Sequence, residues 1–387
     1  MKKILMITTG GTIASKKSQH GLTPGITADE LLTYIPQVQE ICQVDTLALF
    51  NLDSTNMTPK HWLKLARTIE EKYTIYDGFV ICHGTDTLAY TAAALSYLIQ
   101  NSAKPIVLTG SQKPIDMDST DAKVNLLDSF IYACDDLSQE VVIVFDGKVI
   151  VGSRAKKVRA KSYNAFTSIN FPYIAVILDQ QIIRYIPSQP LVQPTRFYHQ
   201  LQEDLITLKL TPGLDAKVLA FAFEHYRCII LESFGVGGIP ENLVETFYQL
   251  MNQYQKDRLV IVSSQVANEG SDMTVYEVGK KVKQDFQLLE AYDMTFEAVV
   301  TKLMWLMAEY ENIEDIRKYF YQTINHDSIL NKKILRKFKI STQIDRVLIF
   351  SLTFIDFWNI LYMYLRKRNK YIRINQLFHS TIGGMEL

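Results

Sequence analysis

The chain predicts an α/β fold of two domains: a larger N-terminal domain on a parallel sheet, with its functional site along one sheet edge, and a smaller C-terminal α/β domain. Three observations predict this. Short apolar runs alternate with segments of helical length through the first half, the rhythm of a parallel sheet covered by helices on both faces. The rhythm breaks over about residues 175–215, where Ser188–Pro194 holds two prolines, and then resumes. Hydrophobic residues make up 48% of 387 positions, enough for a sizeable core and against global disorder.

The elements follow in order. Lys3–Thr9 is a strand, and Thr27–Tyr34 a helix capped by Thr27, with Asp29 and Glu30 in its first turn. Val44–Phe50 is a strand. Thr58 caps and Pro59 opens a helix through Lys72. Gly78–Cys82 is a strand, Leu88–Gln100 an alanine-rich helix, Pro105–Thr109 a strand, Ala122–Ala133 a helix and Val141–Phe145 a strand. In the second unit Cys228–Leu231 and Leu259–Val262 are strands, and Glu241–Gln255 and Thr295–Tyr310 are helices. The expected organisation is an N-terminal domain over 1–190, a linker over 191–212, a C-terminal domain over 213–328 and an atypical hydrophobic and basic tail over 329–387.

In the tail, Val347–Leu365 is 19 residues dominated by Ile, Leu, Phe, Trp and Tyr, followed by the basic cluster Arg366–Lys370. The length approaches a membrane span. Asp356 and Asn359 argue against one, since an ionised group at mid-span costs about 3 kcal/mol. The tail reads first as an extension, with membrane contact or a cover for the second domain or an oligomer interface as the other readings.

Lys+Arg and Asp+Glu both total 41, but 11 basic and 3 acidic residues lie from Asn331 onward, so that segment carries +8 and the remainder −8. An acidic body argues against nucleic acid as partner. Cys42, Cys82, Cys134 and Cys228 show no metal-ligand spacing and read as reduced thiols of a cytoplasmic protein. Only Ile4–Ile7 are continuously apolar after Met-Lys-Lys, too few for a secretory signal.

Two loops carry the chemistry. Thr9-Gly10-Gly11-Thr12 and His83-Gly84-Thr85-Asp86-Thr87 each follow an apolar strand, so a parallel sheet places both at its carboxyl edge, where such sheets bind ligands. A threonine hydroxyl needs a base or a positive neighbour to act as a nucleophile. Other readings stand beside this one. Gly10-Gly11 as a phosphate turn lacks the third glycine of a dinucleotide site and the lysine of a P-loop. Thr12 alone reads as a helix cap, His83 as a structural hydrogen-bonding residue, Asp53-Ser54 as a strand-end turn, and Lys157 as one of a basic run with Arg154, Lys156, Arg159 and Lys161.

Both loops resemble the two signature segments of the bacterial-type L-asparaginases, over Met6–Ala14 and Gly78–Leu88. Asp53–Pro59, Thr109–Gln112, Gly152–Lys157 and Ser233–Gly238 are similar to the cytoplasmic type I branch, and the resemblance spans about residues 1–325. It implies hydrolysis of L-asparagine to L-aspartate and ammonia without metal or cofactor, in a homodimer or homotetramer with the site near a subunit interface. It implies that Thr12 is the nucleophile that forms an acyl-enzyme, and that Thr85, Lys157 and Asp86 form the second catalytic group. Asp53 and Ser54, with Thr85 and Asp86, would grip the amino-acid head. Two positions depart from the family pattern. Leu22 stands where many members have a loop tyrosine that helps activate the nucleophile, and Tyr34, the next tyrosine, falls in the following helix. Lys156, Glu232 and Val266 stand where an allosteric asparagine site of some members uses threonine, arginine and cysteine, so that regulation is expected to be absent. Other readings on the same scaffold are a glutaminase-asparaginase of broader specificity, a tRNA-amidotransferase subunit, which the lack of an extra N-terminal domain disfavours, and a non-catalytic amino-acid sensor.

Overall fold

The computed structural model describes residues 1–18 and 21–329. The larger sheet has eight strands: β1 (Lys3–Gly10), β2 (Gln43–Leu52), β3 (Gly78–Cys82), β4 (Ile106–Thr109), β5 (Val141–Phe145), β6 (Lys148–Val151), β7 (Ala175–Leu178) and β8 (Gln181–Arg184). They lie in the order β8-β7-β6-β5-β4-β3-β1-β2. The five strands from β2 to β5 are parallel. Strands β5 to β8 continue the sheet as an antiparallel meander.

The expected parallel sheet is therefore present, and the meander is an addition. Its first turn is Asp146-Gly147, with φ of 52° and 66°. An Asp-Gly pair between apolar runs is a strong hairpin signal. Its last turn is Asp179-Gln180, with φ of 48° and 62°, and lacks the glycine that would have announced it. Strands β7 and β8 accordingly lie where the sequence rhythm had broken.

Strands β3 and β5 are buried along their whole length, because helices cover both faces. Leu5, Ile7, Phe79, Ile81 and Leu108 point to one face, against Trp62 and Leu65 of the Pro59–Lys72 helix and Leu95 of the Leu88–Leu98 helix. Ile4, Met6, Val80 and Val107 point to the other, against Leu31 of the Ala28–Thr33 helix and Leu126 and Phe130 of the Ala122–Cys134 helix. Thr27 caps the Ala28–Thr33 helix in a capping box with Glu30, and Thr58 caps the Pro59–Lys72 helix as expected.

The second sheet has four parallel strands in sequence order: β9 (Leu205–Lys209), β10 (Cys228–Ser233), β11 (Leu259–Ser264) and β12 (Leu289–Glu290). Strand β9 falls inside the segment expected to be a linker, so the second α/β unit begins near Leu205. Only Leu208 of this five-residue edge strand is buried, which leaves little hydrophobic pattern to detect.

The Leu88–Leu98 helix is buried nearly all round because it also packs against the Phe296–Glu309 helix of the second unit, with Tyr97 stacked on Trp305 at 6.1 Å between centroids. Two buried ion pairs sit at this junction. Arg154 is wholly buried and pairs with Asp293 at 2.8 Å, while Lys302 and Asp327, equally buried, pair at 2.6 Å. Arg154 also donates from Nε to the His326 carbonyl (2.5 Å) and from Nη1 to the Asp293 carbonyl (2.7 Å). Among the described residues no helix is long and apolar enough to cross a membrane. The Val347–Leu365 run and the rest of the tail from residue 330 lie outside the described residues.

Candidate active site

Strand β1 pairs with β2 on one side and β3 on the other, so the connection direction switches between β1 and β3. Open α/β sheets bind ligands at such a crevice, beyond the carboxyl ends of the strands. Three loops leave that edge and touch through glycine. Gly10 and Gly11 hold φ of 100° and 88°, the left-handed region that glycine enters without strain. A Cβ on Gly11 would stand 2.5 Å from the Gly84 Cα and nitrogen, and one on Gly84 would stand 2.7 Å from Ser54 Oγ. The first loop thus meets the second backbone to backbone, and the second lies against the Ser54 side chain at the end of β2. Thr87 Oγ1 donates to the Ser54 carbonyl (2.7 Å), and Gly11 N–H donates to the Leu52 carbonyl (3.1 Å).

Thr12 begins the short turn Thr12–Ala14, which Gly11 precedes as the capping position, so the Thr12 hydroxyl is not the cap. Thr12 is partly exposed, and Ser15 Oγ donates to the Gly11 carbonyl (3.0 Å) and ties the turn down. Thr85 is buried, on the loop that Gly11 meets. Lys157 Nζ donates to Thr85 Oγ1 at 2.8 Å and to Asp86 Oδ1 at 2.6 Å. The Asp86 side chain is 59% exposed and that of Lys157 17%, so the ammonium sits inward of the carboxylate. Neighbouring residues of a strand point to opposite faces. Lys156 accordingly turns away, to Glu297 at 3.4 Å, and Lys157 meets the Thr85–Asp86 loop.

Gln112, at the end of β4, is a site residue to which the sequence reading gave no role. The Thr85 hydroxyl points to Gln112 Oε1 at 3.4 Å, and the Gln112 amide is itself fixed by the carbonyls of Arg159 (3.3 Å) and Ser162 (3.2 Å). Its signal was present: Thr109-Gly110-Ser111-Gln112 follows an apolar strand just as the other two loops do. Thr85 Oγ1 therefore accepts from a cation on one side and faces an acceptor on the other.

Asp53 and Ser54 stand at the end of β2. Asp53 is exposed and accepts from Thr55 N–H (3.0 Å), while Ser54 is buried under Gly84. Leu22 pairs with Lys17 in the hairpin Ser15–Ser18/Gly21–Pro24 that follows Thr12. Tyr34 belongs to the apolar cluster under the sheet, with Lys123 5.6 Å over its ring.

His83 is structural in position, as expected. It is wholly buried, with Nδ1 2.7 Å from the Gly84 carbonyl and Nε2 2.9 Å from Thr91 Oγ1, which also accepts from Trp62 Nε1–H at 2.9 Å. A carbonyl only accepts, so Nδ1 carries the proton, and Thr91 donates to Nε2. Burial pulls the imidazole pKa down to about 4, opposed by the Gly84 contact, so the ring is neutral near pH 7. Among the described residues no cluster of three His, Cys, Asp or Glu is placed to hold a metal. Lys156, Glu232 and Val266 line one polar cleft with Ser264 and Thr295, on the second unit's side.

Residues 3–189 match the family described as Asparaginase, N-terminal, and residues 205–320 match the Glutaminase/Asparaginase C-terminal domain. The chain is 37% identical over 331 residues to the L-asparaginase of Thermococcus kodakarensis, covering 83% of this chain and 98% of that protein. The solved structure of the thermostable L-asparaginase from that organism superposes with a TM-score of 0.77 at 35% identity, over 84% of this chain and 99% of the other. The L-asparaginase 1 of Escherichia coli is 33% identical, with 84% and 97% covered. A glutamyl-tRNA(Gln) amidotransferase subunit of Pyrococcus abyssi is 30% identical, with 82% and 75% covered. With both domain families matched in order and relatives similar over most of its length, the chain belongs to the asparaginase family.

Proposed function

We propose that this chain hydrolyses L-asparagine to L-aspartate and ammonia through a Thr12 acyl-enzyme. The observation that carries the reading is the Lys157 ammonium held between Thr85 Oγ1 and Asp86 Oδ1, on a loop whose Gly84 is in backbone contact with the Thr12 loop. Thr12 Oγ adds to the side-chain amide carbon, the nitrogen leaves as ammonia with the hydroxyl proton, and an ester remains. Water held at Thr85 then adds to the ester carbon, and its proton passes by way of Thr85 Oγ1 to Lys157 in its neutral-amine form and from there back to Thr12 Oγ as aspartate leaves. Asp86 keeps Lys157 aimed at Thr85. Backbone N–H groups near Thr12 and Thr85 receive the developing oxyanion, each worth about 3 kcal/mol. A zwitterionic head needs both charges matched, and the exposed carboxylates of Asp53 and Asp86 with the Ser54 hydroxyl supply a cation site beside a donor. With leucine at position 22, deprotonation of Thr12 falls to Lys157, to water or to a tyrosine from elsewhere.

The same reading takes the chain as a cytoplasmic homo-oligomer of the type I branch with no cofactor. It takes the catalytic motifs as lying in an N-terminal domain and Lys156, Glu232 and Val266 as standing in the cleft where related enzymes have an effector site that uses threonine, arginine and cysteine, so no asparagine regulation is expected. A second reading, a deamidating subunit that feeds ammonia to a transfer reaction, draws support from the similarity to the glutamyl-tRNA(Gln) amidotransferase.

The test is ammonia release from L-asparagine and L-glutamine by the purified chain beside Thr12→Ala and Thr85→Ala. Turnover of asparagine, lost in both variants, is expected. A folded wild-type chain that binds asparagine without releasing ammonia sinks the enzyme reading and leaves the sensor. Turnover of both amides at similar rates selects the broader glutaminase-asparaginase.

A further inference from the structure

Cys42 and Cys134 are 92 positions apart in sequence, and the fold packs the helices that carry them against one another. Cys42 closes the short helix Val38–Ile41 just before β2, and Cys134 is the last residue of the Ala122–Cys134 helix. These two helices pack on one another, with Cys42 inside the apolar cluster under the sheet and Cys134 against its rim. Cys42 is 2% exposed, whereas Cys134 is half-buried and borders a surface depression shared with Ile41, Asp135 and Gln181. The two thiols stand close enough that each is the largest influence on the other's ionisation, and both are free. Small oxidants thus have a route to Cys134 but not to Cys42.

We propose that Cys42 and Cys134 form a redox pair, in which a hydroperoxide oxidises Cys134 and Cys42 resolves the product into a disulfide. In the first step the Cys134 sulfur bonds to one peroxide oxygen, the O–O bond breaks, and the other oxygen leaves as water, giving a sulfenic acid. In the second the Cys42 sulfur attacks that sulfur, the S–S bond forms, and the hydroxyl leaves as water with the Cys42 proton. Two thiols lose two electrons and two protons, and hydrogen peroxide becomes two waters.

The environment assigns the roles. The neighbouring Cys42 thiol lowers the Cys134 pKa, with help from the Lys2 ammonium and against burial and Asp77. The nearby Cys134, with burial, pushes the Cys42 thiol up, as befits the protonated partner. Cys82, by contrast, is wholly buried in β3 and pushed up to about 12, and Cys228 is wholly buried in β10 and also pushed up. Residue 43 begins β2 and Thr12 and Thr85 follow the ends of β1 and β3, so the pair sits at the amino edge of the sheet, opposite the candidate active site. The bond would close a loop that contains Asp53, Ser54, Thr85 and Asp86.

The test treats the full chain with stoichiometric hydrogen peroxide, then counts thiols in denaturant and maps the peptides without reduction. The expected result is a fall from four free thiols to two, a linked Cys42–Cys134 peptide, a rise in Tm of roughly 5 °C that dithiothreitol reverses, and unchanged ammonia release. In Cys42→Ser the sulfenic acid should persist at Cys134 and be trapped by dimedone. Four thiols remaining, a Cys134 that proceeds to sulfinic acid while Cys42 stays free in the wild type, or a disulfide only between chains would each overturn the proposal.

Discussion

Lys157 donates to two acceptors of different exposure, and that difference sets what its loss should do. Lys157→Met keeps the length of the side chain and removes the proton carrier, so ammonia release should fall by about 10²–10⁴-fold while the unfolding transition stays near that of the wild type. An unchanged kcat would move the proton relay elsewhere. Gly11 answers to a different constraint. Gly11→Ala places a methyl 2.5 Å from the Gly84 backbone at a φ of 88°. The overpacking and the left-handed backbone together should cost about 3 kcal/mol, read as a lower urea midpoint. At this scale the sequence was informative where a residue type is rarely needed for folding alone, as with Thr12 and Thr85. It gave Gln112 no role, because the Thr109–Gln112 segment that carries it does not single out the glutamine until Thr85 is placed 3.4 Å from it.

The strand Ala155–Lys157 is short and carries Lys157 at its end, so its anchorage decides where the ammonium points. That anchor is Arg154, which reaches into the second unit to Asp293 and the His326 carbonyl. Arg154→Met should cost about 3–5 kcal/mol, because a buried carboxylate loses its ion pair, measured by chemical denaturation. Arg154→Lys should restore part of that stability but leave kcat low with little change in KM, since one ammonium does not reproduce the fork. Equal kcat in the wild type and Arg154→Lys would mean that the anchor does not position Lys157. Most elements were legible from periodicity and capping, such as the Thr58-Pro59 start and the all-apolar β3. The β7–β8 hairpin was not, because its turn is Asp-Gln rather than a glycine pair. Strand β9 escaped because a short edge strand with only Leu208 fully buried shows little apolar alternation.

Across the whole molecule, buried His83 and Asp128 and half-buried Glu140 pull the pH dependence of folding in opposite directions. His83 titrates near 4 when folded and near 6.5 when unfolded, so the unfolded chain binds more protons between those values. Its contribution is complete above pH 6.5 and is lost as pH falls toward 4, about 3 kcal/mol in all. Burial raises Asp128 and Glu140 to about 7 each, so their contributions are complete below about pH 4 and are lost as pH rises through 7. In urea titrations across this range, His83→Asn should remove the acid-side loss relative to the wild type, and Asp128→Asn should remove part of the loss toward neutral pH. Parallel profiles for all three proteins would refute the assignment. The overall architecture was readable because alternation of strand and helix is repeated many times. The junction between the two units was not, since Arg154, Asp293, Lys302 and Asp327 are drawn from segments up to 173 positions apart and read singly as surface charges.

The backbone contact between Gly11 and Gly84 has a mechanical corollary. Side chains hop between rotamers, but two touching main chains offer only translation or separation. A displacement that carries the Thr12 loop toward Gly84 must push the Thr85 loop ahead of it, and Ser54 behind that loop resists the push. The spacing between the two loop backbones is thus gauged by atomic radii and not by torsion angles.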